Sequence, residues 1–153
     1  GRAFTAVEYA QMHERWRDYR RALARFHERY DLLLTPSLGA PPVPIGAMDT
    51  PKTLRALLPL VLRLPTSRLL VASGIVDRLA EDNLAPVPFT QLANLTGVPA
   101  MSVPLHWTRA GLPLGSQFVA PPGGETLLFQ LAGQLERAVP WFDRRPAMAG
   151  IDI

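Results

Sequence analysis

The distribution of proline is the feature of this sequence that most constrains its fold. The chain has 16 prolines in 153 residues, about twice the average usage, and they are scattered rather than repeated. A proline lacks a backbone donor and fixes φ, so it ends helices and is excluded from central strands. Residues 36–51 hold five of them and are therefore predicted to be an ordered loop (Pro36, Pro41, Pro42, Pro44, Pro51).

Composition indicates a packed globular domain. Hydrophobic residues make up 48% of the chain and charged residues 19%, which favours a core over disorder. The net charge of +3 comes from dispersed arginines, since Lys52 is the only lysine, so no nucleic-acid-binding surface is predicted. The absence of cysteine excludes disulfides and thiolate metal sites and is typical of a cytoplasmic protein. The longest apolar run, residues 56–62, is far short of the roughly 20 residues of a membrane span.

A long amphipathic helix is predicted near the start of the chain. Thr5 and Glu8 have capping-box spacing, so the helix should begin there. Its apolar face alternates steps of three and four residues (Tyr9, Met12, Trp16, Tyr19, Leu23, Phe26, Tyr30). A coiled coil is the alternative, but bulky aromatic residues hold most of the seam. We expect a helix lying across a sheet.

Three strands and a closing helix are predicted in the rest of the chain. The Leu-rich run of "YDLLLTPS" predicts a strand buried on both faces, as inside a parallel sheet. The segments "AMSVPL" and "LGSQFVA" predict two more strands, joined through a turn around "RAGLP". After Gly123 and Gly124, an amphipathic helix should begin at Glu125 and stop at Pro140. The fold class is therefore α/β.

Residues 52–82 form a hydrophobic insertion with a helical pattern. Thr66 and Ser67 can cap a helix whose apolar positions follow (Leu69, Leu70, Ile75, Val76, Leu79). Three interpretations stay open: helices packed on the body, a lid or wall over a ligand pocket, and a helix on a membrane surface.

No motif for catalysis, metal binding or cofactor binding is present. The sequence has no Gly-x-Ser-x-Gly elbow, phosphate loop or His-Glu-x-x-His pair. His13 and His27 are expected on a helix surface, and Lys52 in an exposed loop. Ser102 and His106 lie four residues apart along a strand and past a proline, so a triad is not expected. We therefore predict no catalytic, metal-binding or cofactor-binding residue in this sequence.

Three segments in order nevertheless resemble the carboxyl-terminal part of the amidase signature family. They are "YDLLLTPSLGAPPVPIG", "PFTQLANLTGVPAMSVPL" and "GLPLGSQFVAPPGGETLLFQLAGQLERAVPW". The resemblance covers roughly residues 10–146, apart from 50–85. It implies that residues 1–153 are one C-terminal piece of an amidase domain, an α/β/α sandwich around a mixed sheet, with 52–82 inserted in it.

The same resemblance implies hydrolysis of a carboxylic amide without a cofactor. In that family one serine attacks the carbonyl, a second serine relays the proton and a lysine is the ultimate base. Those residues lie in segments upstream of the matched region, and neither segment occurs in this sequence. The implied partners are therefore an N-terminal catalytic portion or partner chain, and a small amide substrate.

Four residues are candidates for supporting the site or lying near the substrate: Asn94, Thr96, Gly97 and Pro99. The resemblance matches Asn94, Gly97 and Pro99 to an Asn-x-x-Gly-x-Pro pattern of the family. From the residues alone, Gly97 can end a helix in a left-handed conformation and Pro99 can start a strand without a ladder donor. Scaffolding is the main expectation for these positions, and direct substrate contact the alternative.

Two other functional classes remain open: a binding or assembly module without chemistry, and the non-catalytic chain of a split amidase. An incomplete sheet would leave a sticky edge, so we also expect self-association or a covering partner.

Overall fold

The computed structural model describes residues 5–46, 49, 55–56 and 74–144, and these contain four helices and one three-stranded sheet. The helices are α1 (Ala6–His27), α2 (Ile75–Leu84), α3 (Gln91–Thr96) and α4 (Glu125–Ala138). The strands are β1 (Leu33–Pro36), β2 (Ala100–Trp107) and β3 (Pro113–Val119). The predicted α/β class and all three predicted strands are confirmed.

Helix α1 begins at the predicted capping box but does not lie mainly on the sheet. The Glu8 amide donates to Thr5 Oγ1 at 3.2 Å, and the Thr5 amide donates to Glu8 Oε2 at 2.7 Å. Its main packing partner is α3, and Leu23 is its only buried residue. The expectation of a helix lying across a sheet is wrong, because the short α3 provides the contact instead.

Strand β3 is central, and the sheet order is β1-β3-β2 with both pairings antiparallel. The prediction that the Leu-rich run is a parallel strand buried on both faces is therefore wrong. β1 pairs with a single strand of the described sheet, and Leu34 is 60% exposed. Pro36, which cannot donate to a ladder, is tolerated at such an edge.

A tight turn joins β2 to β3. The Thr108 amide donates to the Leu112 carbonyl at 2.9 Å, and the Leu112 amide donates to Thr108 Oγ1 at 3.0 Å. Gly111 supplies the positive φ of 77° that the turn requires. The register shifts between Val103 and His106, around Pro104, so the strand bulges where proline cannot donate.

The hydrophobic core lies between the sheet and α4. Its buried members come from β2, from β3 and the residue after it, and from α4 (Val103, Phe118, Ala120, Leu128). Helix α4 begins at Glu125 and ends at Ala138, before Pro140, as the sequence predicts. Its outer side exposes Phe129, so only one side of α4 is used by the described residues.

The predicted helical insertion lies largely outside the described residues. Helix α2 matches its last part and begins at Ile75, after Gly74 with a φ of 70°. The predicted cap at Thr66 and Ser67, with Leu69 and Leu70, falls outside the described ranges. Among the helices of those ranges, none has the length and apolarity that crossing a membrane requires.

Candidate functional site

The two faces of the sheet differ in chemistry because side chains alternate along each strand. One face carries Phe118 and Val103 and is covered by α4. The register places uncharged polar residues together on the opposite face (Thr35, Ser37, Ser102, Gln117), with Gly115 between them. We call this set the polar face.

Two serine hydroxyls meet on the polar face. Ser37 Oγ and Ser102 Oγ are 2.5 Å apart, although the segments that carry them flank β3 on opposite sides. They meet above Gly115: a Cβ there would lie 2.6 Å from Ser37 Oγ and closer still to Ser102 Oγ. The Ser37 amide also donates to the Gly115 carbonyl at 2.9 Å. Only glycine leaves room for this contact.

Gln117 and Thr35 are the more enclosed members of the polar face. Gln117 is 5% exposed, and its Nε2 donates to the Phe89 carbonyl at 3.3 Å. Thr35 is paired with Gln117 in the sheet, and its buried Oγ1 has no hydrogen-bond partner among the described residues. A buried polar atom without a partner carries a free-energy cost.

Residues 85–90, here called the covering segment, lie against this side of the sheet. Phe89 accepts the bond from Gln117, and the Pro86 carbonyl accepts one from the Gly39 amide at 2.9 Å. Thr90 Oγ1 donates to the Val87 carbonyl at 3.2 Å, which holds the turn before α3. The segment is therefore tied both to β3 and to the proline-rich loop after β1.

The four predicted site residues lie at the end of α3 and the start of β2. Asn94 is exposed, whereas Thr96 is buried and donates to the Leu92 carbonyl at 2.6 Å. Gly97 ends α3 with a φ of 69°, and its amide donates to the Ala93 carbonyl at 2.8 Å, as the helix-ending role predicts. The Pro99 carbonyl accepts from the Ala120 amide at 3.0 Å.

The structure does not bring these four residues to the serine pair. Pro99 lies beside the end of β3, where Ala100 pairs with Val119. Ser37 instead follows Pro36, which pairs with Ser116 nearer the start of β3. The serine pair therefore lies over the middle of β3, whereas Pro99 lies beside its end.

A cavity of about 220 Å³, here called the loop cavity, lies between the proline-rich loop and β3. Its walls are Pro36, residues 38–41, Leu114 and Gly115. None of these described lining residues is ionisable. Such a lining offers no charged group to a ligand.

A larger groove of about 730 Å³ lies by the β2–β3 turn. Trp107 and Trp141 form part of its wall, and the guanidinium of Arg144 lies 5.4 Å from the centre of the Trp107 ring. It adjoins neither the serine pair nor the four predicted residues, so size alone does not make it the candidate site.

The histidines do not form a catalytic or metal site in the described part of the chain. His13 and His27 lie on α1 and are half-buried, each against aromatic rings of residues close to it in the same helix. The ring centres of His13 and Trp16 are 4.1 Å apart, because residues three apart share a helix face. Within the described ranges, no three His, Cys, Asp or Glu side chains could hold a metal ion together.

Sequence reasoning missed the serine pair. The sequence suggests only His106 as a possible partner of Ser102, but His106 lies beyond the bulge and pairs with Leu114. The serine's partner is Ser37, 65 residues away in the chain. The alternations in "TPS" and "GSQ" indicate that their outer residues share a face, but the register of three strands is needed to bring them together.

Comparisons with known proteins agree with this architecture. A family model described as Amidase matches residues 2–129. AmiC of Mycobacterium tuberculosis, assigned as an amidase, is 36% identical over 127 residues, which are 83% of this chain and 22% of AmiC. The 6-aminohexanoate-cyclic-dimer hydrolase of Paenarthrobacter ureafaciens is 33% identical over 153 residues, 97% of this chain and 26% of that protein.

A solved structure of 6-aminohexanoate cyclic dimer hydrolase has a TM-score of 0.70 to this chain and 29% sequence identity. The match covers 94% of this chain and 27% of the other. The chain thus spans about a quarter of the length of the relatives it matches. The residues that the family model matches include the first two of the three segments described above and the first part of the third, and the chain belongs to the amidase family.

Proposed function

We propose that the protein carrying this chain hydrolyses carboxylic amide C–N bonds, and that this chain is a C-terminal piece of its amidase domain. The observation that carries the proposal is the similarity to a hydrolase of 6-aminohexanoate cyclic dimer along 97% of this chain. In the reaction, water adds to the acyl carbon and the C–N bond breaks, giving a carboxylic acid and an amine. No cofactor is needed for this step.

The nucleophile and base are proposed to be residues outside these 153, in the family's lysine-bearing and Gly/Ser-rich segments. A serine becomes nucleophilic when a base takes its proton. In the described residues Ser37 and Ser102 hydrogen-bond each other, so neither is paired with a base in that contact. This arrangement supports a structural or binding role for the two serines rather than attack on a carbonyl.

Asn94, Thr96, Gly97 and Pro99 are proposed to support the site from the end of α3. Gly97 and Pro99 fix where α3 stops and β2 starts through their backbone bonds, and Thr96 closes the last turn of the helix. The hydrophobic residues 52–82 are proposed to be an insertion within the same domain that shapes the substrate pocket. The lack of cysteine supports a cytoplasmic location.

A protein that contains this chain together with the lysine-bearing and Gly/Ser-rich segments tests the proposal. We expect release of amine from at least one member of a broad panel of aliphatic amides, followed by a colorimetric amine assay. Substitution of the segment's lysine should abolish that release. A well-folded protein that cleaves no amide or ester in the panel would contradict the proposal.

The non-catalytic chain of a split amidase is a second candidate. The aromatic face of α1 favours it, since Tyr9 is 60% exposed and Tyr19 50% exposed, and apolar surface of this kind marks a contact site. Co-purification of a separate chain with the Gly/Ser-rich segment would identify that arrangement.

A further inference from the structure

We infer that Gln117 is a positioning residue for the amide hydrolysis proposed above: its buried amide fixes where the covering segment and α3 lie on β3. The inference rests on that proposed function. It extends the site from the end of α3, where Asn94 and Gly97 lie, to a residue of the central strand.

The burial of Gln117 requires a reason, because an apolar side chain would fill the same place without a polar group to satisfy. Gln117 is 5% exposed, and the next two residues of β3, Phe118 and Val119, are buried as well. An amide removed from water costs free energy unless it is hydrogen-bonded. Here Nε2 donates to the Phe89 carbonyl at 3.3 Å. Because the acceptor is a main-chain atom 28 residues away, the bond fixes the position of a backbone segment rather than of one side chain.

The covering segment passes this constraint on to α3. Phe89 is followed by Thr90, the residue before the helix, and Gln91 is the first helical residue. Thr90 Oγ1 donates to the Val87 carbonyl at 3.2 Å, so the chain that leads into α3 is held in a turn. A change at the Gln117 bond therefore shifts the start of α3 and is not absorbed by a flexible linker.

The same strand also holds the other end of α3. The Ala120 amide, three residues after Gln117, donates to the Pro99 carbonyl at 3.0 Å. Three residues of extended chain span roughly 10 Å, and the six residues of α3 rise about 9 Å. The two anchor points are thus separated by about the length of the helix. Gln117 fixes its start and Ala120 its end.

The placement of α3 affects the site through the residues that the helix carries. Asn94 is exposed on α3, and α1 packs against the same helix. A displacement of about 1 Å caused far from the reacting bond can lower a rate about a hundredfold. Apolar contacts are non-directional, whereas a hydrogen bond requires a defined distance and angle. Gln117 is too buried to contact a substrate, so its effect on the reaction acts through α3.

Gln117→Glu in the full-length protein tests the inference, because it keeps the shape of the side chain and removes the donor. The side chains paired with Gln117 in the neighbouring strands, Thr35 and Ser102, carry no charge, so burial raises the pKa of the new carboxyl. Above that pKa, the carboxylate repels the Phe89 carbonyl. Below it, the protonated acid donates an O–H to the same oxygen. The kcat/KM of the variant, as a ratio to the unsubstituted protein, should fall at least about tenfold at about pH 9 and recover to within about threefold at about pH 6.

Two further variants separate the hydrogen bond from other effects. Gln117→Met has a similar length but neither donor nor charge, so its kcat/KM should be lowered by a similar factor at every pH. It also covers the case in which Gln117→Glu does not fold. Gln134→Glu is the matched control, because Gln134 is exposed on α4. Its ratio to the unsubstituted protein should stay near one throughout.

Hydrogen exchange distinguishes a shifted α3 from a general loss of stability. In both Gln117 variants, amides of residues 87–92 should exchange at least about tenfold faster, while amides shared by β2 and β3 keep their rates. The inference is overturned if the folded variants keep the kcat/KM and exchange of the unsubstituted protein, if the ratio for Gln117→Glu does not change with pH, or if exchange rises equally throughout the sheet. An unsubstituted protein that cleaves no amide would count against the proposed hydrolysis instead, and exchange alone would then decide whether Gln117 holds α3.

Discussion

Gly115 is the residue on which the polar face depends. It lies in β3, and the hydroxyls of Ser37 and Ser102 meet in the space that a side chain would occupy. Residues two strands apart are separated by roughly 9–10 Å of backbone, so their short side chains can meet only by leaning over an empty position. The lack of a side chain at Gly115 therefore allows the segments on either side of β3 to bond to each other.

Gly115→Ala should destabilise the protein by about 1–3 kcal/mol, because the new Cβ overlaps both hydroxyl oxygens. Thermal unfolding followed by circular dichroism measures the effect as a lower Tm. Gly133→Ala in α4 is the matched control: its Cβ would meet only Arg137 Nη1 at 3.7 Å, an ordinary contact. That substitution should instead stabilise the helix by about 0.5–1 kcal/mol. Equal Tm values for the two variants would contradict this account.

The positive φ of Gly97, which ends α3, leads to a second prediction about stability. Gly97→Ala should cost about 1–2 kcal/mol, because a Cβ strains a left-handed conformation. Gly97→Asn should cost less, since asparagine adopts that conformation more readily. Urea unfolding of the two variants would give the difference. If Ala and Asn were equally destabilising, conformational strain would not explain the presence of glycine.

At the scale of elements, predictions that depend on neighbouring residues were confirmed. The capping box places the start of α1, Gly97 ends α3, and Pro140 follows the end of α4. Each of these is settled by interactions within about one helical turn. The positions of strands β2 and β3 are likewise confirmed, because each has its own apolar run between turn residues.

The errors arise where an element's partner is distant in the chain. The Leu-rich run is compatible with a parallel or an antiparallel neighbour, and pairing with β3 decides between them. The aromatic spacing of α1 predicts one face but not what covers it, and that partner is the short α3. The candidate site is the extreme case: Ser37 and Ser102 are 65 residues apart, and each is unremarkable alone.

At the scale of the molecule, the described surface of α1 predicts association. Tyr9, Met12 and Tyr19 lie on one side of this helix and are all exposed. We expect sedimentation velocity to show a larger species as concentration rises. Tyr9→Glu should weaken this association, because the new charge would have to be buried in the contact between two copies. Ala10→Glu adds the same charge on another side of the helix and should have little effect. A monomer at all concentrations would contradict the prediction.

The central position of β3 has a consequence for the order in which the molecule folds. Strands β2 and β3 are joined by a tight turn, whereas β1 reaches β3 only after residues 37–112 have been bridged. Closing the shorter loop costs less chain entropy, so the hairpin should assemble first and serve as the template onto which β1 is added. In pulse-labelled hydrogen exchange, amides shared by β2 and β3 should gain protection before those shared by β1 and β3. The edge that forms last is then the one most exposed to intermolecular pairing during synthesis.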